Sequence, residues 1–365
     1  MDYNAIRRKT RQITVGGVAI GGDSPISIQS MTNTDSHDAA ATAAQVKRLA
    51  AEGCDIVRVA VPDIAAVDTI RALKQDPEIT VPIVSDIHFD YRIALACAEA
   101  GVDKIRINPG NIGSRDRIAA VLSACRERSI PIRIGVNSGS LEKDLLERHG
   151  SATAAALAES ALRHVRIAEE LGFFDMAISV KSSDVTKMIE TNRIISREVD
   201  YPIHLGVTEA GGLERGRTKA AVGIGALLAE GIGDTLRVSL TADPIYEVRE
   251  AKSILDVLGI GARKQIEIVA CPTCGRTKID LIGLLDRLES EIDRNGLRDF
   301  PAKVAFMGCV VNGPGEAGDA DVGIAGGVDE AVLFKRGKII GKCPSDAIVG
   351  TLIDELLAMK AAGLN

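Results

Sequence analysis

The chain has 365 residues, of which 46% are hydrophobic and 26% charged, with a formal net charge of −6. That balance gives room for two packed domains and excludes a disordered or fibrous chain. With no Trp, 4 Tyr, 6 Phe and no basic excess, it also excludes nucleic acid as a partner. No apolar run reaches the ~20 residues needed to span a bilayer, and the first ten residues lack the apolar centre of a secretory signal. The expected location is cytoplasmic, with no membrane contact.

Short β-branched runs alternate with Ala-, Leu- and Glu-rich helical patterns such as Ala39–Glu52 from residue 26 to about 240, the pattern of a parallel sheet wrapped by helices. The predicted strands are Ile26–Met31, Asp55–Ala60, Pro82–Ile87, Asp103–Asn108, Pro131–Val136, Met176–Val180, Ile203–Val207 and Thr235–Leu240. Eight such units predict an α/β fold with a closed (β/α)8 TIM-type barrel over residues 1–258. Gly16-Gly17 precedes every β/α unit and Gly223-Ile224-Gly225 lies in a helical pattern, so both read as turn or packing glycines and not as dinucleotide sites.

After Gly259-Ile260-Gly261 the pattern changes. A strand (Gln265–Ala270), a helix (Lys278–Ile292), a strand (Lys303–Met307), a hairpin around Lys335-Arg336-Gly337-Lys338 and a closing helix (Ser345–Ala361) predict a smaller α+β domain over residues 259–365. The Gly-rich stretch Gly313–Gly327 inside it reads as a functional loop.

In such a barrel the carboxyl ends of the strands converge on one face. Here those ends carry Arg58, Asp86 and His88, Arg106 with Asn108 and Asn111, Arg133 with Asn137, Lys181, Glu209, and Arg237 with Ser239. An Arg or Lys inside a buried strand carries a desolvation cost that calls for a partner. One such residue reads equally well as half of a salt bridge, but Arg58, Arg106, Arg133, Lys181 and Arg237 recur at equivalent ends, which predicts a polyanionic substrate. His88 beside Asp86 suits a hydrogen-bond or proton-transfer role, and Glu209 is a second acid at the same face or a counter-ion to an arginine.

Seven cysteines in a chain read as cytoplasmic are thiols or ligands, not a disulfide framework. Cys54, Cys97 and Cys125 lie in apolar patterns and read as small buried hydrophobes. Cys271-Pro272-Thr273-Cys274 follows a strand and suits a redox dithiol, half of a zinc site or an iron–sulfur cluster. Cys309, after another apolar strand and before Gly-rich chain, adds a third thiolate and favours a metal site. Cys343 would complete an all-thiolate set. Glu316 is the rival fourth ligand, a harder and more exchangeable donor that leaves room for a substrate oxygen, and spacing leaves the choice open.

The pairing of Cys271-Pro-Thr-Cys-Gly-Arg276 with Gly308-Cys-Val-Val-Asn-Gly-Pro-Gly-Glu-Ala317, behind Gln29-Ser-Met-Thr-Asn-Thr34 and Ile107-Asn-Pro-Gly-Asn-Ile-Gly113, resembles the 4-hydroxy-3-methylbut-2-enyl diphosphate synthase family of the non-mevalonate isoprenoid pathway. The resemblance spans nearly the whole chain. It implies an oxidoreductase that opens 2-C-methyl-D-erythritol 2,4-cyclodiphosphate with two electrons and loss of water. It implies a [4Fe-4S] cluster on Cys271, Cys274, Cys309 and Glu316, with Cys343 a bystander. It places Arg58, Asp86, His88, Arg106, Asn108, Arg133, Asn137, Lys181, Glu209, Arg237 and Ser239 around the substrate, joined by Asn312 from the smaller domain. It implies flavodoxin or ferredoxin as electron donor, and a homodimer in which one subunit's cluster domain closes over its partner's barrel. The competing readings are an iron–sulfur carrier or scaffold without a substrate, and a barrel enzyme of another phosphorylated substrate with a structural zinc.

Overall fold

Strands covered by helices on one face and by one another on the other can be apolar throughout, and the Val- and Ile-rich runs of the first 260 residues meet that condition. The computed structural model describes residues 3–260, 265–309 and 318–363. It divides into two units, residues 1–261 and 262–365. Among the described residues of the first unit, β1 (Ile13–Val15) and β2 (Val18–Ile20) form an antiparallel hairpin. The eight strands that follow are β3 (Ser27–Met31), β4 (Ile56–Ala60), β5 (Ile83–Asp86), β6 (Lys104–Ile107), β7 (Ile132–Asn137), β8 (Met176–Lys181), β9 (His204–Leu205) and β10 (Thr235–Leu236). They pair in parallel in the order β8-β7-β6-β5-β4-β3-β10-β9, and a bridge from Ile178 to Ile203 joins the two ends into a nearly closed barrel.

The last two strands are shorter than their apolar runs predict, each pairing over two residues. Gly206 ends β9 where the backbone passes its neighbour so closely that a Cβ would lie 2.7 Å from the Arg237 carbonyl oxygen. The hairpin has a structural purpose. Gly16 and Gly17 take φ of 51° and 93°, as a two-residue turn between right-twisted strands demands. Its Ile13, Val15 and Ile20 then pack on Ile56, Val84 and Ala177, closing the barrel floor with apolar side chains. Gly223 is a packing glycine within the helix Leu213–Ala229, since a Cβ there would meet the Met188 methyl at 2.7 Å. No helix among the described residues is long and apolar enough to cross a membrane.

In the second unit β11 (Glu267–Ala270), β12 (Lys303–Met307), β13 (Val322–Gly326), β14 (Glu330–Lys335) and β15 (Lys338–Pro344) form one sheet in sequential order, the first three parallel and the others antiparallel. The helices Leu281–Arg294 and Ile348–Ala361 bury Leu284, Leu288, Leu352 and Leu356 against Val304, Phe306 and Ile324 of that sheet. The first helix begins at Leu281, later than its apolar pattern, because the Asp280 carboxylate accepts the Gly283 N–H at 3.2 Å and caps it there.

The Gly-rich stretch needs a correction. Its end is not loop but the buried strand β13, while residues 313–317 lie outside the described residues. Glycine serves packing here: Gly323 pairs with Phe334 across the ladder, and a Cβ would lie 2.6 Å from the ring and 2.7 Å from the Ala305 methyl. Gly323→Ala therefore overpacks the sheet. The expected loss is about 1–3 kcal/mol of stability, read from urea unfolding of the full chain; an unchanged midpoint would contradict the packing argument.

Candidate active site

Alternation along the barrel strands turns Arg58, Asp86, Lys104, Arg106, Arg133 and Lys181 inward, where barrels ordinarily stack Val, Ile and Leu. Asp86, Arg106 and Arg133 stand in one row across β5, β6 and β7. Two glycines make space for the long cations. A Cβ on Gly135 would sit 2.4 Å from Arg106 Nε, and one on Gly206 would sit 2.8 Å from Lys181 Nζ.

Asp86 is the hub of the row. Arg106 Nη1 donates to its Oδ1 at 3.1 Å, Arg58 Nη2 lies 3.7 Å from its Oδ2, and His88 Nε2 lies 3.4 Å from Oδ2. Burial alone would raise the Asp86 carboxyl, but Arg58, His88 and Arg106 together outweigh it and hold the group far below the usual carboxylate range. His88 Nε2 is also 3.2 Å from Arg106 Nη1, so one ring nitrogen faces both a donor and an acceptor.

A second anchor comes from behind the strands. Arg237 donates through Nε and Nη2 to the two oxygens of Glu247, each at 3.0 Å, and the same carboxylate accepts from Ser30 Oγ at 2.8 Å and Leu240 N at 3.1 Å. The Met31 thioether accepts from Arg58 Nε at 3.0 Å and Arg237 Nη1 at 3.3 Å. Arg133 Nη1 donates to Gln29 Oε1 at 3.3 Å. Glu247, Met31 and Gln29 were not among the predicted residues. Glu247 has a readable signal, because it falls on the buried stripe of the helix Ile245–Val257 with Val248, Ala251 and Ile254.

Charge does not balance inside. Among the described residues the interior holds six basic side chains (Arg58, Lys104, Arg106, Arg133, Lys181, Arg237) against two carboxylates, Asp86 and Glu247. Burial, with like-charged neighbours adding to it, pushes Arg133 and Lys181 well below their usual ranges, and burial brings Arg58 down to about 10. Above this layer a cavity of roughly 450 Å3 is lined by His88, Arg106, Asn108, Asn111, Asn137 and Glu209, among others. Glu209 is exposed and takes φ of 51°, an uncommon conformation for a non-glycine residue. Ser239 is half-buried just beyond β10. A larger groove of 610 Å3, between the two helices of the second unit, holds none of the predicted residues.

The cysteines separate by environment. Cys54, Cys97 and Cys125 are buried, and burial raises their thiols to about 12, 11 and 12. Cys343 is likewise buried, among the apolar side chains of the second unit, and its thiol is raised. Cys271 and Cys309 follow the neighbouring strands β11 and β12 at the same end of the sheet. The Gly308 N–H donates to Cys271 Sγ at 3.2 Å. The Cys274 thiol is lowered by the backbone and side chain of Arg276, whose charge also acts on Cys309. Cys271 directly follows β11, and Cys274 opens a turn closed by Thr277 N to Cys274 O at 2.9 Å; neither stands at the start of a helix, which sets them apart from a thioredoxin-like dithiol. Among the described residues no three His, Cys, Asp or Glu gather around a single metal ion. Cluster thiolates bind different irons and stand farther apart than the ligands of one ion, and N–H donors to sulfur suit them. Asn312 and Glu316 lie outside the described residues.

Two measurements test this electrostatic arrangement. Because the folded-state Asp86 carboxyl is depressed, its stabilising contribution is complete above the ordinary value of about 3.9 and is lost as pH falls from there toward the folded value. Acid unfolding should therefore steepen below about pH 4, and Asp86→Asn should remove that slope while lowering stability at neutral pH. Glu247→Ala leaves Arg237 without its counter-ion and should cost about 3–5 kcal/mol in urea unfolding, with Glu247→Gln milder.

The description GcpE TIM-barrel domain matches residues 10–252, and GcpE protein C-terminal domain matches residues 267–358. A 4-hydroxy-3-methylbut-2-en-1-yl diphosphate synthase (flavodoxin) from Caldanaerobacter subterraneus subsp. tengcongensis is 54% identical over 355 residues, covering 97% of this chain and 98% of the relative. The protein of the same name from Geobacter sulfurreducens is 54% identical over 351 residues, covering 96% of this chain and 98% of its own length. Among solved structures, a dihydropteroate synthase from Xanthomonas albilineans covers 68% of this chain and 99% of its own at 16% identity with a TM-score of 0.49, a likeness too distant to bear on function. With both units matched in order and full-length relatives more than half identical, the chain belongs to the GcpE family.

Proposed function

We propose that the chain is a cytoplasmic oxidoreductase that converts 2-C-methyl-D-erythritol 2,4-cyclodiphosphate to 4-hydroxy-3-methylbut-2-enyl diphosphate, with electrons from flavodoxin. The observation that carries this reading is the excess of buried basic groups beneath the cavity, which a bound polyanion would offset. The name borne by the relatives, with flavodoxin in it, supplies product and donor.

In this reading Arg58, Arg106, Arg133, Lys181 and Arg237 hold the diphosphate, and Asn108, Asn137, Ser239 and Asn312 orient the carbon ring. Opening the ring breaks the C2–O bond, the phosphate oxygen keeping the electron pair. Two electrons enter at C2, the C2=C3 bond forms, and the C3 hydroxyl departs with its bonding pair, taking one proton to become water. The cations stabilise the charge gathering on the tethered phosphate. Asp86, held ionised by its neighbours, does not donate that proton; it fixes Arg106 and His88. His88 and Glu209 line the cavity and are the acids within reach. A [4Fe-4S] cluster on Cys271, Cys274, Cys309 and Glu316 would feed in electrons singly, and the three thiols suit it. The cluster residues belong to the second unit and the cations to the first, so we further propose a homodimer in which each cluster serves the partner's barrel.

Protein purified without air should be brown and carry iron and sulfide at about four each per chain. It should turn over the cyclic diphosphate with reduced flavodoxin. Cys309→Ala should abolish the broad visible absorption, and Arg133→Met should raise KM by tenfold or more at the cost of about 1.4 kcal/mol per factor of ten. A colourless, zinc-loaded wild type with full activity would overturn the reading. Loss of the cluster in Cys343→Ser, with Glu316→Cys unaffected, would overturn the Glu316 assignment. Mixing Cys309→Ala with Arg133→Met subunits should restore part of the activity if the dimer works in trans.

A further inference from the structure

Lys104 opens β6 two residues before Arg106, on the same inward face. It stands in the row Met31, Arg58, Val84, Lys104 that crosses β3 to β6. Its side chain is wholly buried, and its Nζ has no hydrogen-bond partner among the described residues. A buried ammonium ordinarily sits on a carboxylate.

None is available to it. The groups that act on Lys104 across the barrel are Arg133 from β7 and Arg58 from β4, and His204 from β9 feels the charge of Lys104 in turn. Lys181 on β8 and Arg237 beyond β10 add positive charge to the same interior, and Arg106 lies above on the same strand. Of the carboxylates, Asp86 on β5 is engaged by Arg106, Arg58 and His88, and Glu247 by Arg237. From β3 comes the neutral Gln29, and from the floor the apolar Ile13, Val15 and Ile20. The Arg133 Nε and Gln29 Nε2 donors are also buried without partners, as are the neutral Ser27 hydroxyl and His204 Nε2, so no unmet anionic atom of the interior is left for Lys104. Burial first, then Arg133 and Arg58, push the Lys104 amine well below its usual range. Negative charge entering the mouth acts on it in the opposite sense, through an interior that screens poorly.

We propose that Lys104 is a concealed cation of the polyanion site: neutral while the mouth is empty, it takes up a proton from solvent when a diphosphate binds, without touching it. The inference rests on the reading of the mouth as a diphosphate site. It gives the barrel a way to avoid holding an uncompensated charge in the resting state and to add one when the ligand arrives. Binding of the diphosphate is then linked to proton uptake and strengthens as pH falls.

The test is calorimetric. Anaerobic full-length holoenzyme, without reductant so that nothing turns over, is titrated near neutral pH with 2-C-methyl-D-erythritol 2,4-cyclodiphosphate in buffers of different ionisation enthalpy. Wild type should take up protons approaching about one per site. Lys104→Met should bind more weakly, lose that uptake, and show a raised thermal midpoint in the unliganded protein, because an unpaired amine has been replaced by an apolar chain. Lys104→Arg, charged throughout, should also lose the uptake, which keeps the test open if one variant folds poorly. His204→Gln should retain it. Uptake that persists in either Lys104 variant, or that disappears in His204→Gln alone, overturns the inference while the diphosphate reading stands. Failure of wild type to bind the cyclic diphosphate overturns both.

Discussion

Buried positive charge is the constraint on which the barrel is built. Cations that point into an enclosed space repel one another and forgo water, and the sequence around them is arranged to make that tolerable. Gly135 and Gly206 remove side chains where the Arg106 guanidinium and the Lys181 amine must lie. Met31 offers a polarisable sulfur between Arg58 and Arg237, a contact no carboxylate could make without cancelling the charge the site needs. The β1–β2 hairpin closes the floor with Ile13, Val15 and Ile20, so the charge meets solvent at the mouth, where a ligand enters.

The division of carboxylates decides what remains for a ligand. Asp86 shares its oxygens among Arg58, Arg106 and His88, which orients three groups at once and fully neutralises none. Glu247 works from a helix, taking both donors of Arg237 together with Ser30 and Leu240 N–H, and so fixes one guanidinium firmly. Arg133 receives a neutral amide, Gln29. A carboxylate in its place would form a satisfied salt bridge and leave little reason for an anion to bind. Specificity for a polyanion thus comes as much from withheld carboxylates as from supplied arginines.

Much of this was legible in the sequence because strand periodicity is strict. Every second residue faces inward, so an arginine inside an apolar run announces itself, and all the barrel strands fell where their β-branched runs predicted. Legibility failed where a residue's meaning depends on a distant neighbour. Glycine at Gly323 reads as loop until Phe334 is seen across the ladder, and β9 and β10 shorten where Gly206 approaches Arg237. Glu247 is not visible at any strand end because it arrives from a helix. Lys104 is hard to read for a related reason: it stands at the beginning of its strand, away from the carboxyl end, and what sets it apart is an Nζ without a hydrogen-bond partner among the described residues.

The cysteines show the same dependence on surroundings. By residue type Cys343 is the natural fourth thiolate, yet it sits among apolar side chains where a negative sulfur is disfavoured and the thiol is raised. Cys271, at the end of a neighbouring strand to Cys309, accepts the Gly308 N–H, and Cys274 lies exposed beside Arg276. Hydrogen-bond donors and a nearby cation stabilise sulfur as an anion, which is the form that binds metal. Spacing therefore ranks the four cysteines almost equally, and electrostatics does not. The barrel withholds negative charge from its arginines, and in the second unit Arg276 supplies positive charge beside the Cys274 sulfur: in both places the protein fixes a charge before the partner of opposite sign arrives.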